Sequence, residues 1–91
     1  MKVNICGLLH EVKESEDHFD LDLHCGQINF GRCEIRINSG LNPNIKEEAI
    51  CHEMVHGILV HLGYAEMSQN EQFVQALGSA INQGFKIDFK E

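Results

Sequence analysis

Two histidines and a glutamate form the part of this sequence with the clearest chemical potential. His52 and His56 enclose Glu53 in an H-E-x-x-H pattern, inside the apolar run of residues 49–62. Residues four apart on an α-helix lie one turn apart on the same face, so both imidazole rings can bind a single metal ion. The glutamate would border that metal without binding it, where a general base for a metal-bound water must lie.

The residues around the motif predict a helix. Pro43 suits a first helical turn, and Asn44 followed by Glu47 resembles a capping box. Apolar side chains recur at helical spacing through residues 51–62, so one helix face should pack on a core. Gly63 then provides a natural stop. The sequence therefore places the motif on a capped helix that has an apolar face.

The two histidines leave one metal ligand to be found, because a catalytic zinc site commonly has three protein ligands and one position for water. A second helix is predicted to begin at Ser68, with Glu71 closing a capping box, and to end at Gly84. Glu71 begins the apolar face of that helix and is its only acidic residue, which makes it the candidate third ligand. Two alternatives stay open: Glu71 serves only as a cap, or Glu66 or a cysteine is the ligand.

The N-terminal half has the alternation of apolar and polar residues that is typical of strands. Strands are predicted over residues 2–6, 8–14, 26–30 and 33–38. Gly7 joins the first two strands, and Gly31 with Arg32 is predicted to form a two-residue type II′ turn between the last two. Residues 15–24 are predicted as a loop or an edge strand, and residues 86–91 as a short edge strand.

These elements predict a single α+β domain over residues 1–91. A small antiparallel sheet from the N-terminal half should pack on two C-terminal helices, as in a minimal zincin-like domain. Gly57 or Gly78 is expected to let the helices approach closely enough to share a metal.

Composition and charge argue against several classes of partner and location. The net charge of −7 argues against nucleic acid and anionic membranes as main partners. The N-terminal apolar run is interrupted too early for a signal peptide, and no stretch is long enough to span a bilayer. The cysteines form no C-x-x-C pair, so we expect reduced thiols in the cytoplasm. His24 with Cys25 and Cys33 matches no spacing that is typical of a metal site.

The order of elements resembles the minimal members of the ImmA/IrrE family of zinc metallopeptidase-like proteins, which are gluzincin-like and often found in prophages and other mobile elements. Three stretches carry the resemblance, namely residues 26–38, 49–62 and 71–85. It implies that His52 and His56 bind zinc, that Glu53 activates water, and that Glu71 completes the site. The second helix is rich in glutamine where relatives tend to be acidic, and no substrate carries over from the larger members.

The leading hypothesis from the sequence is therefore a zinc-dependent peptidase that acts on a peptide or protein substrate. An extended peptide could pair with an exposed sheet edge, for which the strand over residues 33–38 is the candidate. The second hypothesis is a non-catalytic zinc-binding or regulatory protein of a phage or mobile element, which a fourth protein ligand would favour. The third is an acidic interaction module that binds no metal.

Overall fold

The computed structural model describes residues 1–16 and 25–91, which form a sheet followed by helices. The strands are β1 (Lys2–Ile5), β2 (Leu8–Ser15), β3 (Gly26–Asn29) and β4 (Glu34–Asn38), and the helices are α1 (Pro43–His61), α2 (Ala65–Ser68) and α3 (Glu71–Gly84). This order of elements confirms the predicted α+β class. None of the helices in the described ranges has the length and apolar content needed to cross a membrane.

The sheet is mixed, so the prediction of a wholly antiparallel sheet was wrong. Its strand order is β1-β2-β4-β3, with antiparallel pairs at both ends and a parallel pair, β2 with β4, in the middle. Ile35 and Ile37 of β4 are fully buried, which suits a central strand. Because β4 lies inside the sheet, the outer position falls to β3. The strand over residues 33–38 is therefore not an edge that a peptide could reach.

The turn between β3 and β4 also differs from the prediction. Four residues, 30–33, connect the strands, and Gly31 does not have the positive φ that a type II′ turn requires. The Asn29 side chain instead accepts a hydrogen bond from the Arg32 backbone N–H at 3.0 Å, and Cys33 takes the positive φ of 51°. An asparagine that bonds a backbone N–H further along is a common way to start such a loop.

The cap of helix α1 lies two residues earlier than predicted. The Asn42 side chain accepts a hydrogen bond from the Asn44 backbone N–H at 2.9 Å, and Pro43 is the first helical residue. Proline suits that position because it has no N–H and its φ is already helical. The capping box assigned to Asn44 and Glu47 was therefore wrong. The predicted stop at Gly63 fits, since the helix ends at His61 and Gly63 has a φ of 89°.

The start of α3 removes the alternative role proposed for Glu71. Ser68 ends the short helix α2, and Asn70 caps α3 by accepting a hydrogen bond from the Phe73 backbone N–H at 3.0 Å. Glu71 is consequently the first residue of α3 and does not close a capping box with Ser68. Both side chains are free to face the motif helix.

Two glycines determine how closely α1 packs on its neighbours. A Cβ at Gly78 would lie 3.3 Å from the His52 Cα, so this glycine brings α3 against the backbone of α1 as predicted. A Cβ at Gly57 would lie 3.1 Å from the Ile28 side chain and 3.2 Å from that of Ile5. Gly57 therefore lets α1 approach the sheet and not the other helix.

The remaining expectations concern the chain segments outside the sheet and helices. The predicted C-terminal strand is reduced to one isolated bridge between Lys2 and Lys90. Of the predicted loop over residues 15–24, Ser15 belongs to β2, Glu16 follows that strand, and residues 17–24 lie outside the described residues. Of the site considered for His24, Cys25 and Cys33, only His24 falls in that range. Cys51 is a buried free thiol that packs within the core, in agreement with its position on the apolar helix face.

Candidate metal centre

Three side chains from two helices meet at one point. His52 and His56 project from one face of α1, and their Nε2 atoms each lie 3.0 Å from a carboxylate oxygen of Glu71 at the start of α3. The ligand atoms of these three residues lie within 4.8 Å of one another, so the group could hold a metal ion. The structure thus brings together the two motif histidines and the glutamate that the sequence singled out.

Packing between α1 and α3 explains why these side chains converge. Val55, Leu59 and Val74 form a buried apolar cluster between the two helices, and Val74 is fully buried. Glu71 lies three residues before Val74, so it projects from the same helix face toward α1. The site therefore lies at the open end of an apolar seam whose close approach Gly78 permits.

The second nitrogen of the His52 ring is held by a polar chain. His52 Nδ1 lies 2.7 Å from Gln75 Oε1, and Gln75 Nε2 donates to Glu48 Oε1 at 2.6 Å. A neutral imidazole that donates through Nδ1 presents a lone pair at Nε2, and that lone pair faces the carboxylate of Glu71. Two acceptors 3.0 Å apart repel each other unless a cation or a proton lies between them. A metal ion between the two acceptors would remove this repulsion, and two imidazole nitrogens with one carboxylate oxygen are suitable ligands for such an ion.

His56 is held in a similar way by a buried hydroxyl group. Its Nδ1 lies 2.9 Å from Ser68 Oγ, which again leaves Nε2 facing Glu71. Burial lowers the pKa of His56 and His52 lowers it further, while the charge and hydrogen bond of Glu71 and a hydrogen bond with Ser68 oppose the shift. The neutral form that a metal ion requires is therefore favoured. Sequence reasoning missed this role because the spacing from Ser68 to Glu71 looked like a capping box.

Glu53 lies on the other side of the motif, between α1 and the sheet. Its side chain is only 6% exposed, and a Cβ at Gly26 of β3 would lie 3.6 Å from its Cγ. Burial raises the pKa of Glu53 to about 7, with a further increase from Glu71 and an opposing effect of His52. A carboxyl group with a pKa near neutrality can both accept and return a proton under physiological conditions.

A cleft of about 400 Å³ exposes this chemistry to solvent. Its lining comes from β3, from α1 and from the first turns of α3, and comprises Cys25, Gly26, Ile45, Glu48, Ala49, His52, Glu53, Glu71 and Gln75. The buried carboxyl and two of the three candidate ligands thus share one accessible space. A substrate in this cleft could contact a bound metal ion and Glu53 together.

The other candidate ligands lie apart from the three converging residues. Within the described ranges, neither Glu66 nor any cysteine belongs to a group that could hold a metal. Cys51 is buried and its Sγ donates to Asn82 Oδ1 at 3.7 Å, whereas Cys25 is exposed and lines the cleft. His61 contacts the ring of His10 with the ring centroids 5.9 Å apart. Of the alternatives, Cys25 alone is near the site.

No protein-family model, curated protein or solved structure matches this chain. The resemblance to the ImmA/IrrE family accordingly stays a prediction from the three sequence stretches.

Proposed function

We propose that this chain is a zinc-dependent peptidase of the ImmA/IrrE kind, in which His52, His56 and Glu71 bind the metal and Glu53 is the general base. The observation that carries the proposal is the convergence of two Nε2 atoms on one carboxylate, while both Nδ1 atoms have other partners. Two imidazoles and one carboxylate, with a fourth position left for water, are typical of catalytic zinc.

The donor set favours zinc over the common alternatives. Calcium and magnesium prefer all-oxygen ligands, whereas two nitrogen donors and one oxygen donor suit zinc. The lowered pKa of His56 supports the proposal, because a metal ion binds only the neutral ring. When bound, zinc would polarise the scissile carbonyl and lower the pKa of its water from 15.7 toward about 7.

Glu53 supplies the proton transfers in this proposal. Its buried carboxyl group lines the same cleft as His52 and Glu71, within reach of a water or carbonyl oxygen held there. It would accept the proton of the attacking water and return it to the leaving amine.

The substrate we propose is an extended segment of peptide or protein that pairs with β3. This strand has β4 as its single partner among the described strands, and Gly26 at its start lines the cleft. An edge strand offers unpaired backbone groups to an extended peptide. β3 thus replaces residues 33–38 as the candidate docking strand. The four free thiols are compatible with a reducing compartment such as the cytoplasm, which completes the proposal.

Substitution of the proposed base tests this function. Glu53→Gln should keep zinc affinity close to wild type and reduce cleavage of a quenched-fluorescence peptide library by about 10²–10⁴-fold. Glu66→Gln, in the exposed helix α2, is the matched control and should change neither property. Equal cleavage by Glu53→Gln and wild type would remove the proposed base, and a wild-type chain without zinc affinity would remove the whole proposal.

A non-catalytic zinc protein is the second candidate, and the position of Cys25 favours it. This exposed thiol lines the same cleft as His52 and Glu71, and a fourth protein ligand would close the coordination sphere. Cobalt substitution distinguishes the two candidates, because a thiolate ligand gives a sulfur-to-cobalt charge-transfer band. Loss of such a band in Cys25→Ser would favour the structural site, and its absence from wild type would favour the peptidase.

A further inference from the structure

One side chain, Gln75, connects His52 to the carboxylate of Glu48, which lies one turn earlier on the same helix. His52 Nδ1 contacts Gln75 Oε1 at 2.7 Å, and Gln75 Nε2 contacts Glu48 Oε1 at 2.6 Å. Glu48 is four residues before His52, so the chain of contacts leaves α1, crosses to α3 and returns to α1 one turn away. Ser79 supports the connection, since its Oγ lies 3.2 Å from both Gln75 Nε2 and Glu48 Oε1.

The carboxylate of Glu48 determines which way the Gln75 amide faces. A carboxylate accepts hydrogen bonds only, so the NH2 group of Gln75 must point toward Glu48. Gln75 Oε1 then faces His52, and an oxygen in that position requires Nδ1 of His52 to carry the proton. The opposite tautomer would set a nitrogen lone pair against Oε1 at 2.7 Å.

We infer that Gln75 is a positioning residue that holds His52 in the Nδ1–H tautomer, and that Glu48 acts through Gln75 by fixing its amide. The inference rests on the proposed function only in naming zinc as the ion that the free Nε2 binds. Partners of this kind orient metal-binding histidines, and their removal typically lowers metal affinity about 10–100-fold. Here a neutral amide contacts the ring, and the negative charge lies one residue further away.

One consequence is specific to this arrangement: of residues 48 and 75, one must be a carboxylate and the other an amide. Gln75→Glu alone would place two carboxylates 2.6 Å apart, and their repulsion would displace the side chain of residue 75 from its present position. Exchanging the two residues, with Glu48→Gln and Gln75→Glu together, restores a donor opposite an acceptor. The exchanged pair again offers an oxygen to Nδ1, now from a carboxylate.

The test combines ring tautomers with zinc affinity. Long-range proton–nitrogen NMR spectra of the metal-free protein, recorded well above an ordinary histidine pKa of about 6.5, report which nitrogen of His52 carries the proton. Wild type and the exchanged double variant should show the Nδ1–H form, whereas Gln75→Leu and Gln75→Glu should show a mixture of tautomers. Zinc affinity should fall about 10–100-fold in both single variants and return to within about threefold in the double variant.

Gln72→Leu is the matched control, because it makes the same change at an exposed position of the same helix. It should leave both the tautomer and the zinc affinity unchanged. An Nδ1–H tautomer and undiminished zinc affinity in Gln75→Leu would overturn the positioning role while leaving the zinc site intact. Fixed tautomers in a wild-type chain that binds no zinc would support the positioning role and contradict the proposed function. If Gln75→Leu does not fold, failure of the double variant to recover affinity overturns the inference.

Discussion

Among the residues that the structure describes, two pairs of histidines are in contact, and their surroundings differ in one decisive way. His52 and His56 lie with their ring centroids 4.9 Å apart, and every ring nitrogen of that pair is within 3.0 Å of a side-chain oxygen. His10 and His61 also touch, at 5.9 Å. His10 is fully buried, and its Nδ1 bonds the backbone oxygen of Leu8 at 2.9 Å. In the described part of the chain, its Nε2 has no hydrogen-bond partner.

This comparison shows that proximity of two imidazoles does not define a metal site. The motif pair has a carboxylate that converges on both rings, and separate groups that occupy the far nitrogens. The pair formed by His10 and His61 has no such carboxylate among the described residues that could complete a ligand group. We therefore interpret His10 as a core residue and His52 with His56 as the pair that could hold a metal ion.

Removal of the Glu71 carboxylate, which distinguishes the motif pair from the other pair, should have the largest effect on zinc affinity. Glu71→Ala takes away one of three ligands, so we expect zinc affinity to fall by more than the roughly 100-fold upper range for loss of an indirect partner. Competition with a chromophoric chelator measures this change. Glu66→Ala in α2 is the control and should retain full affinity. Retention of zinc affinity by Glu71→Ala would contradict its role as a ligand and make Cys25 the candidate third ligand.

Truncation of the pair formed by His10 and His61 should have the opposite result, in which stability falls and zinc affinity does not change. His10→Ala empties a fully buried position and should lower the free energy of unfolding by about 2–4 kcal/mol. Zinc affinity should stay at the wild-type value, because His10 lies outside the group that could hold a metal. Urea denaturation in the presence of a chelator measures the stability. His61→Ala, at the exposed end of α1, should cost less than about 1 kcal/mol.

Glu53 provides a pH-dependent test of how deeply the site is buried. Its pKa rises from 4.5 to about 7 on folding, so between these values the folded state binds more protons than the unfolded state. Stability of the metal-free protein should therefore decrease as the pH rises through this window. Glu53→Gln removes the charge and should be more stable above pH 7, by up to about 3 kcal/mol, with no advantage below pH 4. Denaturation midpoints of Glu53→Gln and wild type, recorded above pH 7 and below pH 4, measure this difference in stability. A stability gain that does not depend on pH would contradict the burial argument.

The sequence predicted the motif helix and the candidate third ligand, Glu71, because both predictions depend on local spacing. The histidines are four residues apart, and Glu71 lies on the apolar face of its own helix. The contacts of Ser68 and Gln75 could not be predicted in this way, since they depend on how α2 and α3 pack against α1. That relationship is determined by packing around Gly78 and Val74, which joins residues distant in the chain.

The order of the strands escaped prediction for the same physical reason. The period of two in β4 identifies which side chains face one side of the sheet, but it does not reveal whether the strand has one neighbour or two. The predicted positions of the helix N-caps were wrong by a smaller margin. Asn42 and Asn70 are both two residues from the caps that the sequence favoured, because several polar residues near each helix start can accept the same backbone hydrogen bond.

The smallest expected effect distinguishes the two partners of the motif histidines. Ser68→Ala removes the hydroxyl group next to His56 Nδ1 and should lower zinc affinity by about tenfold, at the low end for an indirect partner. Gln75→Leu should have an equal or larger effect, because the Gln75 amide is itself held by Glu48, whereas a hydroxyl group can rotate to serve as donor or acceptor. Isothermal titration with zinc compares them, with Ser39→Ala in the turn after β4 as the control. A larger loss for Ser68→Ala than for Gln75→Leu would make His56, and not His52, the ring whose orientation limits the site.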